Sequence, residues 1–311
     1  MDMIEIKVTF PSKGISLAGI LRLPVTNDKF SGALPGIVIT HPFGGVKEQT
    51  ASLYAAKLTE HGFATLVYDA AYQGESGGEP RYLEDPFARA ENIKSAVTYL
   101  ASRPEVDPEK IGALGICAAG GYTPYAAQTD RRIKAVATVS AADMGLLFRE
   151  GLGGNSPPEI LDQMLAASAE ARTAEARGEA PRYMNIVPNS PDEMTDETPD
   201  LYREGSNYYR TARAQHPNSK NLCLVQSVDR IAQYSSYDLI GLISPRPILM
   251  IAGTKADTRY FSELAIDKAS EPKELFLIEG ATHIDLYDKP EYVGPAVNKL
   301  NTFFTDALRS H

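Results

Sequence analysis

The sequence predicts an α/β protein built on one open, mostly parallel sheet of eight strands, with helices on both faces and an inserted helical cap. Short apolar segments rich in β-branched residues alternate with helical segments along most of the 311 residues. This alternation is typical of consecutive βαβ units. It stops after residue 142 and resumes after residue 242. We therefore expect a core formed by residues 1–142 and 243–311, interrupted by a mainly helical cap of residues 143–242.

The core begins with two strands that are expected to pair in antiparallel fashion through a tight turn. They are "IEIKVTF" and "ISLAGILRLP", in which apolar and polar side chains alternate. The next segment, "PGIVIT", is a compact β-branched run bounded by Pro and Gly, which is typical of a strand buried on both faces. A helix follows in "TASLYAAKLTEHG", with Thr50 as its predicted N-cap.

Strand–helix units then repeat to the end of the chain. "FATLVYD" is a buried strand, and the helix after it has Asp85 as N-cap and Pro86 as its first residue. The first part of the core ends with the strand "KIGALGIC", the helix "AGGYTPYAAQ" and the strand "IKAVATVSAAD". After the cap come the strand "RPILMIAGTKAD", the helix "RYFSELAIDKAS", the strand "KELFLIEGATHID" and a C-terminal helix. Six parallel strands thus follow the two antiparallel ones.

Charge and cysteine content narrow the classes of function. A net charge of −9 disfavours nucleic acid and anionic membranes as partners, and no apolar run is long enough for a membrane helix. The N-terminus carries two acids and no apolar signal-peptide core. The two cysteines, Cys117 and Cys223, suggest neither a disulfide framework nor a zinc site. We expect a reduced, cytoplasmic protein without metal, acting on a small molecule, and the sequence leaves its oligomeric state open.

Cys117 is the candidate nucleophile, because it stands where a strand turns into a helix. A nucleophile on such a turn needs small residues two positions before and after it, and here these are Gly115 and Ala119. The start of the following helix also favours a thiolate. The alternative interpretation is a small buried core thiol, which is common for free cysteine.

His283 and Asp257 are the candidate partners of this thiol. Each follows a predicted parallel strand, and the carboxyl ends of such strands meet at one edge of the sheet. His283 would take the proton from Cys117, and Asp257 would orient the imidazole. The nearby carboxylates Glu263, Asp285 and Asp288 are alternatives for the orienting role.

The turn "HPFGG" after the third strand supplies candidate donors for an oxyanion hole. In this arrangement one backbone N–H follows the nucleophile and another comes from this turn, which indicates Ala118 and Phe43. Gly44 is the neighbouring alternative, and a glycine turn that only redirects the chain is the competing interpretation. Four residues from the loops and the cap are candidates for a substrate pocket: Gly44, Tyr72, Tyr208 and Tyr209. Ordinary packing explains the tyrosines equally well.

Taken together, the segments "HPFGGVKEQ", "YDAAYQGESGGEPR", "GICAAGGYTPYA", "AGTKADTRYFSE" and "GATHIDLYD" resemble the α/β-hydrolase fold. The similarity is to bacterial YcjY-like hydrolases and to fungal polyketide transferases and thiohydrolases. It implies a Cys/Ser–His–Asp acyl-transfer site, here Cys117, His283 and Asp257, with no metal and no organic cofactor. Dienelactone hydrolases are also similar, but they have an acidic residue after the third strand where this chain has His41. That difference argues against a dienelactone substrate.

The leading hypothesis is an acyl-processing enzyme that cleaves an ester or thioester through an acyl-cysteine intermediate. Transfer of the acyl group to an acceptor other than water uses the same intermediate and is the alternative within catalysis. A non-catalytic ligand-binding protein, in which Cys117 replaces a lost serine, is the alternative from another class. The presence of His283 and Asp257 argues against it. Acyl length, acceptor and pathway stay open.

Overall fold

Eight strands form one twisted sheet in the computed structural model, which describes residues 3–25 and 32–309. The strands of the described residues are β1 (Met3–Ser12), β2 (Ile15–Pro24), β3 (Leu34–Thr40), β4 (Ala64–Tyr68), β5 (Val106–Ile116), β6 (Ile133–Val139), β7 (Tyr183–Asn185), β8 (Leu222–Leu224), β9 (Ile248–Gly253) and β10 (Lys273–Ile278). The order in the main sheet is β1-β2-β4-β3-β5-β6-β9-β10. β2 pairs antiparallel with β1 and β4, and the other pairs are parallel. The predicted fold class is confirmed.

Helices cover both faces of this sheet. The helices of the described residues, including those of the segment between β6 and β9, are α1 (Thr50–Glu60), α2 (Pro86–Ala101), α3 (Ala119–Thr129), α4 (Met144–Glu150), α5 (Pro158–Ala176), α6 (Asp200–Arg210), α7 (Ser227–Ala232), α8 (Arg259–Lys268), α9 (Asp285–Asp288) and α10 (Pro290–Arg309). Residues of α2, α3 and α8 pack into one apolar cluster, and residues of α1 and α10 pack into the other. The central strands are therefore buried on both sides, as their continuous apolar runs predict. Within the described ranges, no helix is long and apolar enough to cross a bilayer.

One predicted helix cap is confirmed and the other is wrong. The Asp85 side chain accepts hydrogen bonds from the backbone N–H groups of Phe87 and Ala88, with Pro86 at the first helical position. In α1 the N-cap is Gln49, not Thr50. The Thr50 hydroxyl instead donates to the backbone carbonyl of Tyr287 in the short helix before α10, 3.0 Å away. The Thr50 hydroxyl therefore makes a tertiary hydrogen bond in place of the predicted helix cap.

The segment between β6 and β9 contributes no strand to the main sheet. It contains α4 to α7, two short 3₁₀ helices (191–193 and 240–243) and a two-stranded antiparallel ribbon of β7 and β8. Most of its regular structure is helical, and the sequence did not predict the ribbon. The Asp143 carboxylate accepts hydrogen bonds from the N–H groups of Leu146 and Ser236, near the two ends of this segment. One buried side chain thus ties the beginning of the segment to its end.

Candidate active site

Cys117 occupies a strained turn between β5 and α3. Its φ of 59° lies in the left-handed region that side chains other than glycine rarely adopt. The turn is held by its own backbone, since the N–H of Cys117 donates to Val139 O at 3.0 Å and its carbonyl accepts from Gly120 N at 2.7 Å. A Cβ at Gly115 would overlap the carbonyl oxygen of Ala119, so glycine is required there. A strained backbone at a thiol on a strand-to-helix turn is typical of a nucleophile.

Burial and the neighbouring hydrogen-bond donors have opposite effects on the ionisation of the Cys117 thiol. Burial raises the pKa of the thiol above its ordinary value. The Tyr287 hydroxyl and the backbone N–H groups of Ala118 and Phe43 act in the opposite direction and lower that pKa. The resting residue is therefore a neutral thiol, and the two N–H groups expected to form an oxyanion hole lie next to it.

Phe43 owes its position to a tight turn after β3. The N–H of Gly45 donates to Pro42 O at 3.1 Å, and Gly44 has a φ of 69°. A left-handed residue at the third position is the signature of a type II turn, which explains glycine there. The N–H of Phe43 in this turn lies beside the Cys117 thiol. The same turn therefore both reverses the chain and supplies a hydrogen-bond donor.

His41 stabilises this turn through a hydrogen bond to the carbonyl oxygen of Pro42. Its Nδ1 lies 2.7 Å from Pro42 O, and its Nε2 accepts from Ala70 N at 3.0 Å, so Nδ1 carries the proton. Arg89 donates to the carbonyl oxygen of His41 at 2.6 Å and lies 3.6 Å from the buried carboxylate of Glu84. Burial and the Arg89 charge hold the pKa of His41 well below its usual range. His41 is thus a neutral positioning residue of the candidate oxyanion turn.

His283 lies in the loop after β10 and is held at both ring nitrogens. Thr258 Oγ1 is 2.5 Å from Nδ1, and the Tyr287 hydroxyl is 3.2 Å from Nε2. Its backbone carbonyl accepts from the Ser140 hydroxyl at 2.9 Å. Burial lowers the pKa of His283 to about 3, so the imidazole is neutral at ordinary pH. A neutral imidazole is the form that acts as a general base.

Asp257 does not hold His283 in this structure. Its carboxylate accepts a hydrogen bond from Leu201 N in α6 at 2.9 Å, while His283 Nδ1 is paired with Thr258, one residue further along. The predicted contact between Asp257 and His283 is therefore corrected. The physical reason is that the unpaired N–H groups at the start of a helix attract a carboxylate, and α6 brings them within reach. Burial raises the pKa of Asp257.

Cys117 opens into a cavity of about 310 Å³. Its floor comes from the core and its walls from α4, the β7–β8 ribbon and α6. The lining residues are Phe43, Cys117, Ala142, Met144, Leu147, Phe148, Met184, Asn185, Ile186, Val187, Leu201, Tyr202, Gly205, Tyr209, Cys223, Ile284 and Tyr287. None of these side chains carries a full charge except Cys117 when it ionises. The cavity is thus suited to an uncharged, mainly apolar group.

The four predicted pocket residues divide between this cavity and other places. Tyr209 lines the cavity. Tyr208 packs against the Tyr287 ring, with centroids 5.1 Å apart, and lines a separate surface recess. Gly44 lines a third, small space, and Tyr72 lies in the loop after β4 with a φ of 71°. Only the assignment of Tyr209 agrees with the cavity; the other three residues do not line it.

The carboxylates of Glu48, Asp69 and Glu75 converge closely enough to hold a metal ion. The ammonium group of Lys47 takes that place, with Nζ–O distances of 2.7, 2.8 and 2.6 Å to these three residues. A lysine in contact with each carboxylate occupies the centre of the cluster and offsets part of its negative charge. This cluster is explained by the packing of the loops after β3 and β4.

Two residues of the site were missed by the sequence analysis. Tyr287 follows His283 by four positions, one helical turn, and this spacing was a usable signal that the two side chains meet. No sequence pattern indicated Thr258, because a threonine next to an aspartate is common in loops. Its role emerges only from the contact with His283.

The chain is similar to known proteins over most of its length. Residues 23–145 match the model of the dienelactone hydrolase family. The chain is 40% identical to the uncharacterised protein YcjY of Escherichia coli (strain K12), over 98% of this chain and all of that protein. It is similar to the crystal structure of the hypothetical protein PA2218 of Pseudomonas aeruginosa, with a TM-score of 0.92, 37% identity, and coverage of 98% of this chain and 94% of that one. A more distant relative, 26% identical over 88% of each chain, is the acyltransferase drtE of Aspergillus calidoustus.

Proposed function

The chain belongs to the dienelactone hydrolase family of α/β-hydrolase enzymes, which act on ester or thioester bonds, and on this premise we propose that it hydrolyses an acyl ester or thioester through an acyl-Cys117 intermediate. The observation that carries the proposal is the environment of the thiol. Cys117 stands on a strained turn, faces an apolar cavity, and has the N–H groups of Phe43 and Ala118 beside its sulfur. The Tyr287 hydroxyl acts on the sulfur and lies 3.2 Å from Nε2 of the neutral His283.

The proposed reaction has two acyl-transfer steps. The sulfur of Cys117 attacks the substrate carbonyl carbon, and the N–H groups of Phe43 and Ala118 stabilise the oxyanion. The bond to the leaving alcohol or thiol breaks, and that group departs with the proton released by the thiol. Water then attacks the acyl-cysteine, and the acid leaves as the thiol is restored. One water is consumed for each ester or thioester cleaved.

The proton travels between Cys117 and His283 in both steps. The Tyr287 hydroxyl lies 3.2 Å from Nε2 and also acts on the sulfur. In our assignment His283 Nδ1–H donates to Thr258 Oγ1, so that Nε2 is free to accept. The thiol passes its proton to the Tyr287 oxygen as Tyr287 passes its own to Nε2. Tyr287 is therefore part of the proton path and not only of the cavity wall.

The cavity indicates the kind of acyl group. A volume of about 310 Å³ lies at the small end of the usual range for small-molecule sites, about 300–1,000 Å³, which suits a short acyl chain. A charged group on the acyl chain would be buried without a partner among these lining residues, which is costly. We therefore propose an uncharged, mainly apolar acyl chain, and this agrees with the argument from His41 against a dienelactone substrate.

Acyl transfer to an acceptor other than water is the second candidate. The enclosing cap favours it, because a cavity walled by apolar side chains limits the access of water to the acyl-enzyme. The relative drtE carries the name acyltransferase. Both versions share the acyl-cysteine, so they differ only in what attacks it.

Intact mass spectrometry after brief incubation with a p-nitrophenyl ester or an acyl thioester tests the proposal. We expect one acyl group on Cys117 and turnover of the substrate. Cys117→Ala should lose both, while Cys117→Ser should retain some turnover, since the histidine can activate either atom. Cys223→Ala is the matched control, because Cys223 lines the same cavity but lies in β8.

Three outcomes separate the hypotheses. An adduct on Cys223, or an undiminished Cys117→Ala variant, would remove Cys117 from the mechanism. The absence of any acyl adduct and turnover would favour a non-catalytic ligand-binding protein. Adding alcohols, amines or thiols distinguishes the two catalytic versions, since free acid as the only product in every case contradicts acyl transfer.

A further inference from the structure

The hydroxyl of Tyr209 is a buried polar group that makes no hydrogen bond of ordinary length with the residues the structure describes; the nearby Tyr287 hydroxyl acts on it only enough to lower its pKa against the larger effect of burial. The residue is only 7% exposed. Leaving a buried hydroxyl unpaired is costly, and native proteins rarely do so without a reason. A phenylalanine would fill the same space without that cost, so the hydroxyl calls for an explanation beyond packing.

The hydroxyl lies beside the candidate oxyanion turn. A Cβ placed on Gly45 would be 3.4 Å from the Tyr209 oxygen, which puts that oxygen against the turn that presents Phe43. Tyr209 lines the cavity together with Phe43 and Cys117. The unpaired group therefore borders the space in which a substrate carbonyl would meet the sulfur.

The ring is held firmly although it belongs to the cap. Tyr209 lies on α6, and its ring packs edge-on against Tyr208 and Tyr287, with centroids 4.8 and 6.4 Å away. Burial, together with the neighbouring Tyr208 and Cys117, raises the pKa of Tyr209 well above its ordinary value. The hydroxyl thus keeps its proton at any working pH, and it is a fixed donor in a site that develops negative charge.

We propose that the Tyr209 hydroxyl donates a third hydrogen bond to the substrate carbonyl oxygen as it becomes an oxyanion, beside the N–H groups of Phe43 and Ala118. The inference rests on the proposed acyl-transfer function and extends it. The core supplies two donors and the cap supplies the third. The oxyanion hole is then complete only when α6 is docked on the core.

Tyr209→Phe tests this directly, because it removes the hydroxyl and keeps the ring. We expect kcat to fall roughly 10²- to 10³-fold, the effect of losing one oxyanion donor, with little change in KM. The loss should be the same for acyl chains with and without further oxygen atoms. The melting temperature should stay equal or rise, since an unpaired buried hydroxyl is gone. Tyr208→Phe is the matched control, because Tyr208 is the adjacent tyrosine and does not line the cavity.

A tetrahedral mimic provides a readout that a merely structural role would not change. A fatty aldehyde that fits the cavity forms a hemithioacetal with Cys117, and its affinity should fall in Tyr209→Phe by a factor similar to that in kcat. The affinity of the corresponding amide, which stays planar, should change little.

Several results would overturn the inference. They are a kcat within twofold of the parent enzyme, an equal loss in Tyr208→Phe, or a loss confined to acyl chains that carry an extra oxygen. If any of these occurs while wild-type Cys117 is still acylated, the proposed function stands and only the role of Tyr209 fails. If wild-type Cys117 is never acylated, the proposed function itself fails.

Discussion

Thr258 Oγ1 lies 2.5 Å from His283 Nδ1, while the carboxylate of the preceding residue, Asp257, binds Leu201 N in the cap helix α6 at 2.9 Å. Two adjacent side chains at the end of β9 therefore serve different parts of the molecule. One orients the candidate base and the other fastens the cap. The loop between β9 and α8 therefore fixes both the position of α6 and the orientation of His283.

Substitutions at these two positions should have different effects. Asp257→Asn keeps an oxygen that accepts from Leu201 N, so we expect kcat to fall by less than about tenfold, in contrast to the roughly 10⁴-fold loss seen when the orienting acid of a triad is changed to an amide. Thr258→Val leaves His283 Nδ1 without its partner. We expect a loss of roughly a hundredfold in kcat through misplacement of the base. Steady-state kinetics on one short ester measures both.

Thr254→Val is the matched control for Thr258→Val. Thr254 also follows β9, and its hydroxyl accepts from Gly280 N at 2.8 Å without touching His283. It should lose stability but retain kcat. A 10⁴-fold loss in Asp257→Asn alongside an active Thr258→Val would restore Asp257 as the orienting residue.

Tyr287→Phe should make the thiol harder to ionise. The Tyr287 hydroxyl lowers the pKa of Cys117, so its removal should move the midpoint of iodoacetamide alkylation to higher pH. Because the same hydroxyl contacts His283 Nε2, kcat should fall roughly a hundredfold. The measurement is the pH dependence of alkylation, followed by mass spectrometry of the Cys117 peptide.

Tyr54→Phe controls for the loss of a buried phenol. The Tyr54 hydroxyl donates to Leu286 O at 2.7 Å, next to Tyr287 in the chain but outside the cavity. Its removal should leave the alkylation midpoint of Cys117 unchanged. An unchanged midpoint in Tyr287→Phe would mean that the tyrosine is only a wall residue.

The pH profile should lack the usual histidine limb. Burial lowers the pKa of His283 to about 3, so the imidazole stays neutral, and able to accept a proton, from pH 8 down to about that value. As pH falls through 6.5, an ordinary histidine would become protonated and kcat/KM would drop. Here we expect kcat/KM for a neutral ester to be nearly flat between pH 8 and pH 5. An acid limb near pH 6.5 that disappears on changing His283 would contradict the buried, neutral assignment.

Features encoded by local sequence were predictable. The main strands are continuous β-branched runs, so their place in the sheet followed from the alternation with helices. The turn at Cys117 was also predictable, because Gly115 and the small residues after the cysteine leave room for a strained backbone. The ribbon of β7 and β8 escaped prediction, since strands of three residues carry too few positions for a pattern.

Features that depend on distant partners could not be read from the sequence. Whether Asp257 turns toward His283 or toward α6 depends on Leu201, 56 positions away in the chain. Whether Tyr208 or Tyr209 faces the cavity depends on how α6 is rotated on the core, and neighbouring tyrosines give no sign of it. The roles of Cys117 and His283 therefore stay predictions, while the contact that orients His283 involves Thr258, which the sequence did not indicate.

The cavity predicts a dependence on acyl length that the cap residues can change. Each methylene buried contributes about 0.8 kcal/mol, so kcat/KM should rise roughly fourfold per added carbon until the cavity is full. Leu147 on α4 lines the cavity, whereas the adjacent Leu146 does not. Leu147→Trp should move the optimum to shorter chains, with hydrolysis of short esters preserved, and Leu146→Trp should leave the optimum in place.

The measurement is kcat/KM over p-nitrophenyl esters of graded length, with an ω-carboxylated ester of matched length included. That anionic ester should react at least a hundredfold more slowly, because no cation lines the cavity to pair with it. A flat length series, or equal rates for the charged and uncharged esters, would place the acyl chain outside this cavity.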